Sequence, residues 1–294
     1  MTVCVATLCD LGRAIVLVSD KMVGLGFVEA ELENSKVQAL HSQWFMMMAG
    51  DDIAPLFELG DLARAEMPPS VEVSLEQVME VLQRNYELIR TRRAEAQFLK
   101  PIGWTLERFN KEGSALLPNF LELQSKVGDY ELSVQILVAG FDRKLIPWGR
   151  IFTIDPSDRG IPRRYDAHGF AAIGSGAIAA EYMMHFKDVT PSLPIRAAVY
   201  YAMEAKYFGE YATGVGPKTD LLVLRFDGNL IHMVKIDDEK TIEKKLIPMC
   251  ERLEPMHPMP EDIDVLNGIP ELKGLPPLPR LNRHNRKKTK KKKP

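Results

Sequence analysis

Thr2, Asp20 and Lys36 are the residues of this sequence whose types and placing could make a nucleophilic site. A threonine hydroxyl is a weak nucleophile until a base takes its proton, and an N-terminal α-amine, with an ordinary pKa of about 7.7–8.0, can serve as that base. Thr2 carries such an amine once Met1 is removed, and its small side chain makes that removal the expectation. Asp20 follows in Ser19-Asp20-Lys21 and Lys36 in Asn34-Ser35-Lys36-Val37, each at the end of a β-like segment. The combination can form a self-contained nucleophilic site.

The elements that must position these groups are legible in the hydropathy pattern. Thr2 to Cys9 alternates and is rich in β-branched residues, while Arg13 to Ser19 is almost continuously apolar. With Asp10-Leu11-Gly12 between them, the pattern predicts a hairpin whose second strand is buried on both faces. Strands are expected at Lys36–Leu40 and Gln43–Ala49, then a helix over Ile53–Ala65 after the turn residues Gly50-Asp51-Asp52. Ser74-Leu75-Glu76-Gln77 has the form of a capping box and opens a helix over about 74–95, with Val78, Val81, Leu82, Tyr86 and Ile89 at helical spacing. Residues 96–130, with Pro101, Trp104 and Pro118, read as an insertion carrying short helices.

Strand character returns at Glu131–Phe141, Arg150–Ile154 and Phe170–Ile173, the last leading into Gly174-Ser175-Gly176. Helices follow over about 177–186 and 192–209. Asp227-Gly228-Asn229 joins Leu221–Phe226 to Leu230–Ile236 as a final hairpin, and one more helix is expected over 237–250. Strands and helices grouped in this way argue for an α+β chain of mainly antiparallel sheets sandwiched between helical layers, and against a doubly wound βαβ fold.

Composition narrows the class. The 294 residues are 46% hydrophobic, enough for a substantial core. No stretch reaches the roughly 18 uncharged apolar residues of a membrane helix and no signal-peptide pattern opens the chain, so no membrane association and a cytoplasmic location are expected. Cys4, Cys9 and Cys250 form neither a disulfide framework nor a metal-binding pair, and Cys4 and Cys9 lie in apolar sequence that implies simple burial. The six histidines have no metal-ligand spacing, so neither metal nor other cofactor is expected. From Lys273 onward the chain has ten of its 38 Lys and Arg residues and no acid, leaving 28 bases against 40 acids, a formal −12, in the remainder. Residues 253–294, Pro-rich and then Lys-rich, read as an extension disordered at its end that could bind acidic surfaces without specificity.

Six short motifs in order resemble the proteasome β-type subunits of the N-terminal nucleophile (Ntn) hydrolase superfamily and their bacterial ring-forming relatives. They are Met1-Thr2 before the first strand, Val18-Ser19-Asp20, Ser35-Lys36-Val37, Met48-Ala49-Gly50, Ile173-Gly174-Ser175-Gly176 and Glu210-Tyr211-Ala212-Thr213-Gly214. The resemblance spans about residues 2–235 and implies one domain over 1–252, a four-layer αββα sandwich. It assigns Thr2 as nucleophile, Lys36 as the charge that lowers the pKa of the hydroxyl and amine, and Asp20 as the partner that holds Lys36. It makes the backbone N–H of Gly50 the oxyanion donor and has Ser175, Glu210 and Thr213 tune the amine by hydrogen bonding. The family usually has aspartate where Glu210 stands and serine where Thr213 stands. By resemblance the substrate is a peptide or unfolded protein, the assembly a homo-oligomeric ring or spiral, and an ATPase or other regulator a possible partner.

Each residue also has a structural explanation when read singly: Asp20 could end a strand, Lys36 could be solvated and Ser175 could cap a helix. Two alternatives to a threonine peptidase therefore stay open. One is a catalytically silent scaffold or binding subunit of the same fold; the other transfers the acyl group to an amine, as an amidase or peptide ligase.

Overall fold

The computed structural model describes residues 2–25, 28–31, 35–52, 54–236, 265–272 and 274. Met1, Ile53, the helix expected over 237–250, Cys250 and the Lys-rich tail lie outside the described residues. Among the described residues, twelve strands and six α-helices follow in chain order. They are β1 (Cys4–Cys9), β2 (Ala14–Asp20), β3 (Met22–Leu25), β4 (Val28–Glu31), β5 (Val37–Ala39), β6 (Trp44–Gly50), α1 (Ala54–Glu66), α2 (Leu75–Ala94), α3 (Leu106–Leu116) and α4 (Phe120–Gly128). After these come β7 (Val134–Phe141), β8 (Gly149–Ile154), β9 (Arg163–Arg164), β10 (Phe170–Ile173), α5 (Ala177–Phe186), α6 (Ile195–Gly209), β11 (Thr219–Phe226) and β12 (Ile231–Ile236).

The chain is α+β, with two five-stranded antiparallel sheets. One has the order β10-β1-β2-β11-β12, the other β5-β6-β7-β8-β9, and β3 and β4 pair as a separate ribbon. Strand alternation divides the core into layers. Cys4, Ala6, Leu8, Ile15 and Leu17 of the first sheet meet Phe45, Met47, Leu137 and Ala139 of the second. The opposite residues of the first sheet, Val3, Val5, Val16 and Val18, pack against α5 and α6. Those of the second, Trp44, Met46, Ile136 and Val138, pack with α1 and α2. Both strands of the first hairpin are wholly buried. The continuous apolar run of β2 and the alternating run of β1 end in the same environment because each has a neighbour on both sides and a layer over both faces.

The capping box forms as expected: Ser74 Oγ accepts from Gln77 N–H and Gln77 Oε1 accepts from Ser74 N–H at 2.9 Å. Downstream, α2 widens through a π-helical turn at Glu95–Leu99 into the insertion. Here α3 and α4 form their own small core around Leu99, Phe109 and Leu123. Arg90 of α2 ties the insertion down by donating to the carbonyls of Val127 at 3.2 Å and Tyr130 at 3.1 Å. The β3–β4 ribbon directly after Asp20 was not expected, nor was the two-residue β9. Strands this short carry too little alternation to stand out from loop sequence.

Candidate functional site

β1 and β2 begin and end side by side, with Cys4 opposite Ser19 in the antiparallel register. This pairing carries residue 2 to the end of β2, where Asp20 stands. Asp20 is completely buried, and five donors converge on its carboxylate. Thr2 Oγ1, at 2.7 Å, Val3 N–H, at 2.9 Å, and Lys36 Nζ, at 2.8 Å, share Oδ1. Met22 N–H, at 3.0 Å, and Gly216 N–H, at 3.3 Å, take Oδ2. A buried carboxylate is tolerable only with such replacement of its hydration. The chain must therefore bring these donors from four separate segments.

Lys36, 7% exposed, enters from the segment leading into β5 and donates to Thr2 Oγ1 as well as to Asp20. The hydroxyl thus stands between an ammonium that donates a hydrogen bond to its oxygen and a carboxylate that accepts a hydrogen bond from it. An alkoxide formed there would face the positive charge of Lys36, while Asp20 holds that ammonium in place.

Ser175 closes the other side. Thr2 N–H donates to Ser175 Oγ at 3.3 Å, and Ser175 Oγ is within 3.4 Å of the carbonyl oxygens of Thr2 and Thr213. Gly176 N–H adds a bond to Thr2 O at 3.2 Å. The Gly-Ser-Gly sequence is needed for this approach. Gly174 has φ +93°, and a Cβ there would lie 2.2 Å from Thr2 O; a Cβ at Gly176 would lie 2.7 Å from Gly209 O. Gly174 N–H in turn donates to Gln135 Oε1 at 2.7 Å, anchoring the loop to the second sheet.

The seven expected site residues occupy different places. Thr2, Asp20, Lys36 and Ser175 form one hydrogen-bonded group. Thr213 joins it through its carbonyl, the side chain having been the expectation. Glu210 caps the C-terminus of α6 and its carboxylate pairs with Lys206 Nζ, not a residue foreseen. Gly50 is the last residue of β6, in register with Val134, and α1 starts four residues later. The expectation of a turn at Gly50 is corrected: it lies on a strand end, and a Cβ there would meet Ser133 O at 2.5 Å. The end of β6 does run beside the start of β1, since Cys4 Sγ donates to Met48 O at 3.7 Å.

Lys206 is the site residue that sequence reasoning missed. It is fully buried in α6, and its ammonium donates to Glu210 and to the carbonyls of Gly216 and Pro217, both at 2.9 Å. Gly216 also supplies an N–H to Asp20, so Lys206 holds the loop that supports the central carboxylate. Burial pushes the Lys206 ammonium below the ordinary lysine range, and Glu210 opposes that shift. The available signal was the four-residue spacing of Lys206 and Glu210, a helical ion-pair spacing, at the end of an otherwise apolar helix.

Cys4 shows the effect of the same interior on a group with no counter-charge in contact: burial pushes its thiol up to about 12, with Lys36 opposing. Among the described residues no group of His, Cys, Asp and Glu is arranged to hold a metal ion, and no helix is long and apolar enough to cross a membrane. Compared with known proteins, the sequence matches no protein-family model and no curated protein.

Proposed function

We propose that the chain is an N-terminal-threonine amide hydrolase of the Ntn type, a peptidase acting through an acyl-enzyme on Thr2. The observation that carries this reading is the position of the Thr2 hydroxyl between Lys36 and Asp20, at the start of a strand where loss of one residue exposes an α-amine. In the proposed reaction Thr2 Oγ1 attacks the substrate carbonyl carbon while its proton passes to the α-amine. The C–N bond then breaks, the amine returns the proton to the leaving nitrogen, and an ester to Thr2 remains. Water, deprotonated by the same amine, attacks the ester and restores the hydroxyl. Lys36 faces the charge that develops on Thr2, Ser175 orients the amine, and Gly50 N–H is assigned to the oxyanion.

The substrate class is a peptide or unfolded segment, and a homo-oligomeric ring or spiral is the proposed assembly. Ile178, Tyr182 and Phe186, all exposed on one face of α5 at four-residue spacing, support a packing surface there. A cytoplasmic location and an ATPase or other regulator belong to the same proposal.

Intact-mass measurement after treatment with an electrophile that traps N-terminal threonine tests the reading. The expected result is loss of Met1 and one adduct on Thr2, absent in Thr2→Ala. Retained Met1, or no adduct on a folded and trimmed chain, would leave the silent-scaffold alternative.

A further inference from the structure

The end of the molecule away from Thr2 carries a surface that the proposed chemistry does not use. β1 runs from the Thr2 group to the turn Asp10-Leu11-Gly12, about 20 Å along a six-residue strand. Three hairpin turns meet there. A Cβ on Gly12 would lie 2.6 Å from Pro147 Cβ in the β7–β8 turn. Arg143 of that turn donates to Asn229 O in the β11–β12 turn at 2.9 Å, and Phe226 N–H donates to Arg13 O at 2.8 Å. Each turn holds one aliphatic side chain out to solvent: Leu11 is 65% exposed, Ile146 85% and Leu230 64%.

Leu11 stands there against its backbone preference. Asp10, Leu11 and Gly12 have φ of +51°, +58° and +78°, a left-handed run that residues with a Cβ rarely adopt. Asp10 N–H and Leu11 N–H donate to Leu193 O and Pro191 O, both at 2.7 Å, and so fix the turn. An outlier of this kind kept at an exposed leucine points to a role at the surface. The cations around it, Arg13, Arg143 and Lys144, are all exposed. The acids of the same turns are less available. Asp142 is buried and accepts from the N–H groups of Leu75 and Lys144, Asp227 accepts from those of Asn229 and Leu230 and pairs with His232, and Asp10 is half-buried.

The C-terminal chain reaches the same end. α6 begins directly after the 190–193 loop that holds Leu11, and Arg196 in its first turn donates to Leu272 O at 2.9 Å. Lys273 follows, the first of the ten Lys and Arg residues that close the sequence without an acid.

We infer that this end docks peripherally on an anionic lipid surface. Leu11, Ile146 and Leu230 insert among the acyl chains, while Arg13, Arg143, Lys144 and the basic C-terminus lie at the headgroups. Apolar insertion and a polybasic segment are each weak alone and together give stable attachment. Nucleic acid would satisfy the cations but has no place for three aliphatic side chains. The remainder of the chain, with 28 bases against 40 acids, is repelled by the same surface, which sets the orientation. Thr2, at the other end of β1, then faces away from the lipid. Attachment of this kind needs no membrane-spanning helix.

Sedimentation of the full-length chain with vesicles tests the docking without any assay of turnover. Binding to vesicles of equal phosphatidylcholine and phosphatidylserine is expected, at least about tenfold stronger than to phosphatidylcholine alone. Leu11→Asn, Ile146→Ser and Leu230→Ser together should weaken it at least about tenfold. All three positions are exposed and asparagine tolerates the left-handed backbone, so the urea midpoint should be kept. Replacing Lys287, Lys288, Lys290 and Lys291 by glutamine should weaken binding by a similar factor, and this variant decides the matter if the first does not fold. Thr2→Ala should bind as the wild type does, which separates this surface from the proposed catalytic site. No binding to the anionic vesicles, or equal binding to both kinds, would overturn the inference. So would undiminished binding by the folded aliphatic variant, the result for a basic tail acting alone, or capture of a DNA duplex in place of the vesicles when both are offered.

Discussion

Replacing Lys36 by methionine removes an ammonium while keeping nearly the same side-chain length, and it separates the structural and chemical roles of the central pair. In the native protein that ammonium is 2.8 Å from Asp20 Oδ1 and donates to Thr2 Oγ1, with both residues buried. Removing one partner of a buried ion pair costs about 3–5 kcal/mol. Asp20 would keep four other donors, the Thr2 hydroxyl and the N–H groups of Val3, Met22 and Gly216, so the low end, about 3 kcal/mol, is expected. With a urea dependence of about 3 kcal/mol per molar, suited to a chain of this size, the unfolding midpoint should fall by about 1 M. The rate of Thr2 labelling by the electrophile, measured by intact mass on folded protein, should fall by about 10²–10³-fold, the scale of losing one preorganised charge-stabilising group. A double-mutant cycle with Asp20→Asn should give a coupling of about 1–3 kcal/mol. A midpoint unchanged within error would refute the account of Lys36 as the buried counter-ion. Labelling at the wild-type rate in a folded, Met1-trimmed variant would refute its part in activating the hydroxyl.

Other expectations bear on the surrounding groups. Lys206→Met should lower the labelling rate at Thr2 without touching that residue, through the 216–217 loop that supports Asp20, and Lys206→Arg should restore little because guanidinium geometry differs; a rate equal to wild type would remove Lys206 from the site. Gly174→Ala combines a left-handed backbone, costing about 1–2 kcal/mol, with a Cβ 2.2 Å from Thr2 O. Its urea midpoint and its Thr2 labelling should fall together, and a fully active variant would show that the loop need not approach so closely. Burial raises the Cys4 thiol above its unfolded value, so its contribution to stability is full below about pH 9 and is lost as pH rises toward about 12, at up to about 1.4 kcal/mol per pH unit. Urea midpoints taken upward from pH 9 should fall, less steeply in Cys4→Ala, and iodoacetamide at pH 8 should leave Cys4 unmodified in the native protein; ready alkylation would contradict the burial.

Much of the local structure could be read from short-range pattern. The capping box at Ser74, the helical spacing through Ile89, the Asp227-Gly228 turn and the apolar run of β2 each concern residues a few positions apart, and each appears where expected. The choice of Thr2, Asp20 and Lys36 was also legible, because a hydroxyl, an acid and a base at segment ends are chemical types visible without coordinates, whereas Ser175 came only from the family resemblance. The roles of Glu210 and Gly50 were less so. Glu210 has the right type for hydrogen bonding to an amine, yet the four-residue helical spacing delivers its carboxylate to Lys206. Gly50 was expected in the turn before a helix, but its ladder with Val134 keeps it in β6.

Tertiary structure alone decided the rest, for one physical reason: the environment of a side chain depends on groups far away in the chain. Lys206 looks like a solvated helix residue until α6 is packed beneath the first sheet, where its ammonium must find carbonyls in the loop before β11. Leu11, Ile146 and Leu230 are ordinary turn residues until three hairpins bring them to one end. By itself the sequence determined most of the longer elements and which groups could react, but not the short β3, β4 and β9. The burial that joins Thr2 to Asp20, Lys36 and Ser175, across as many as 173 positions, exists only in the folded chain.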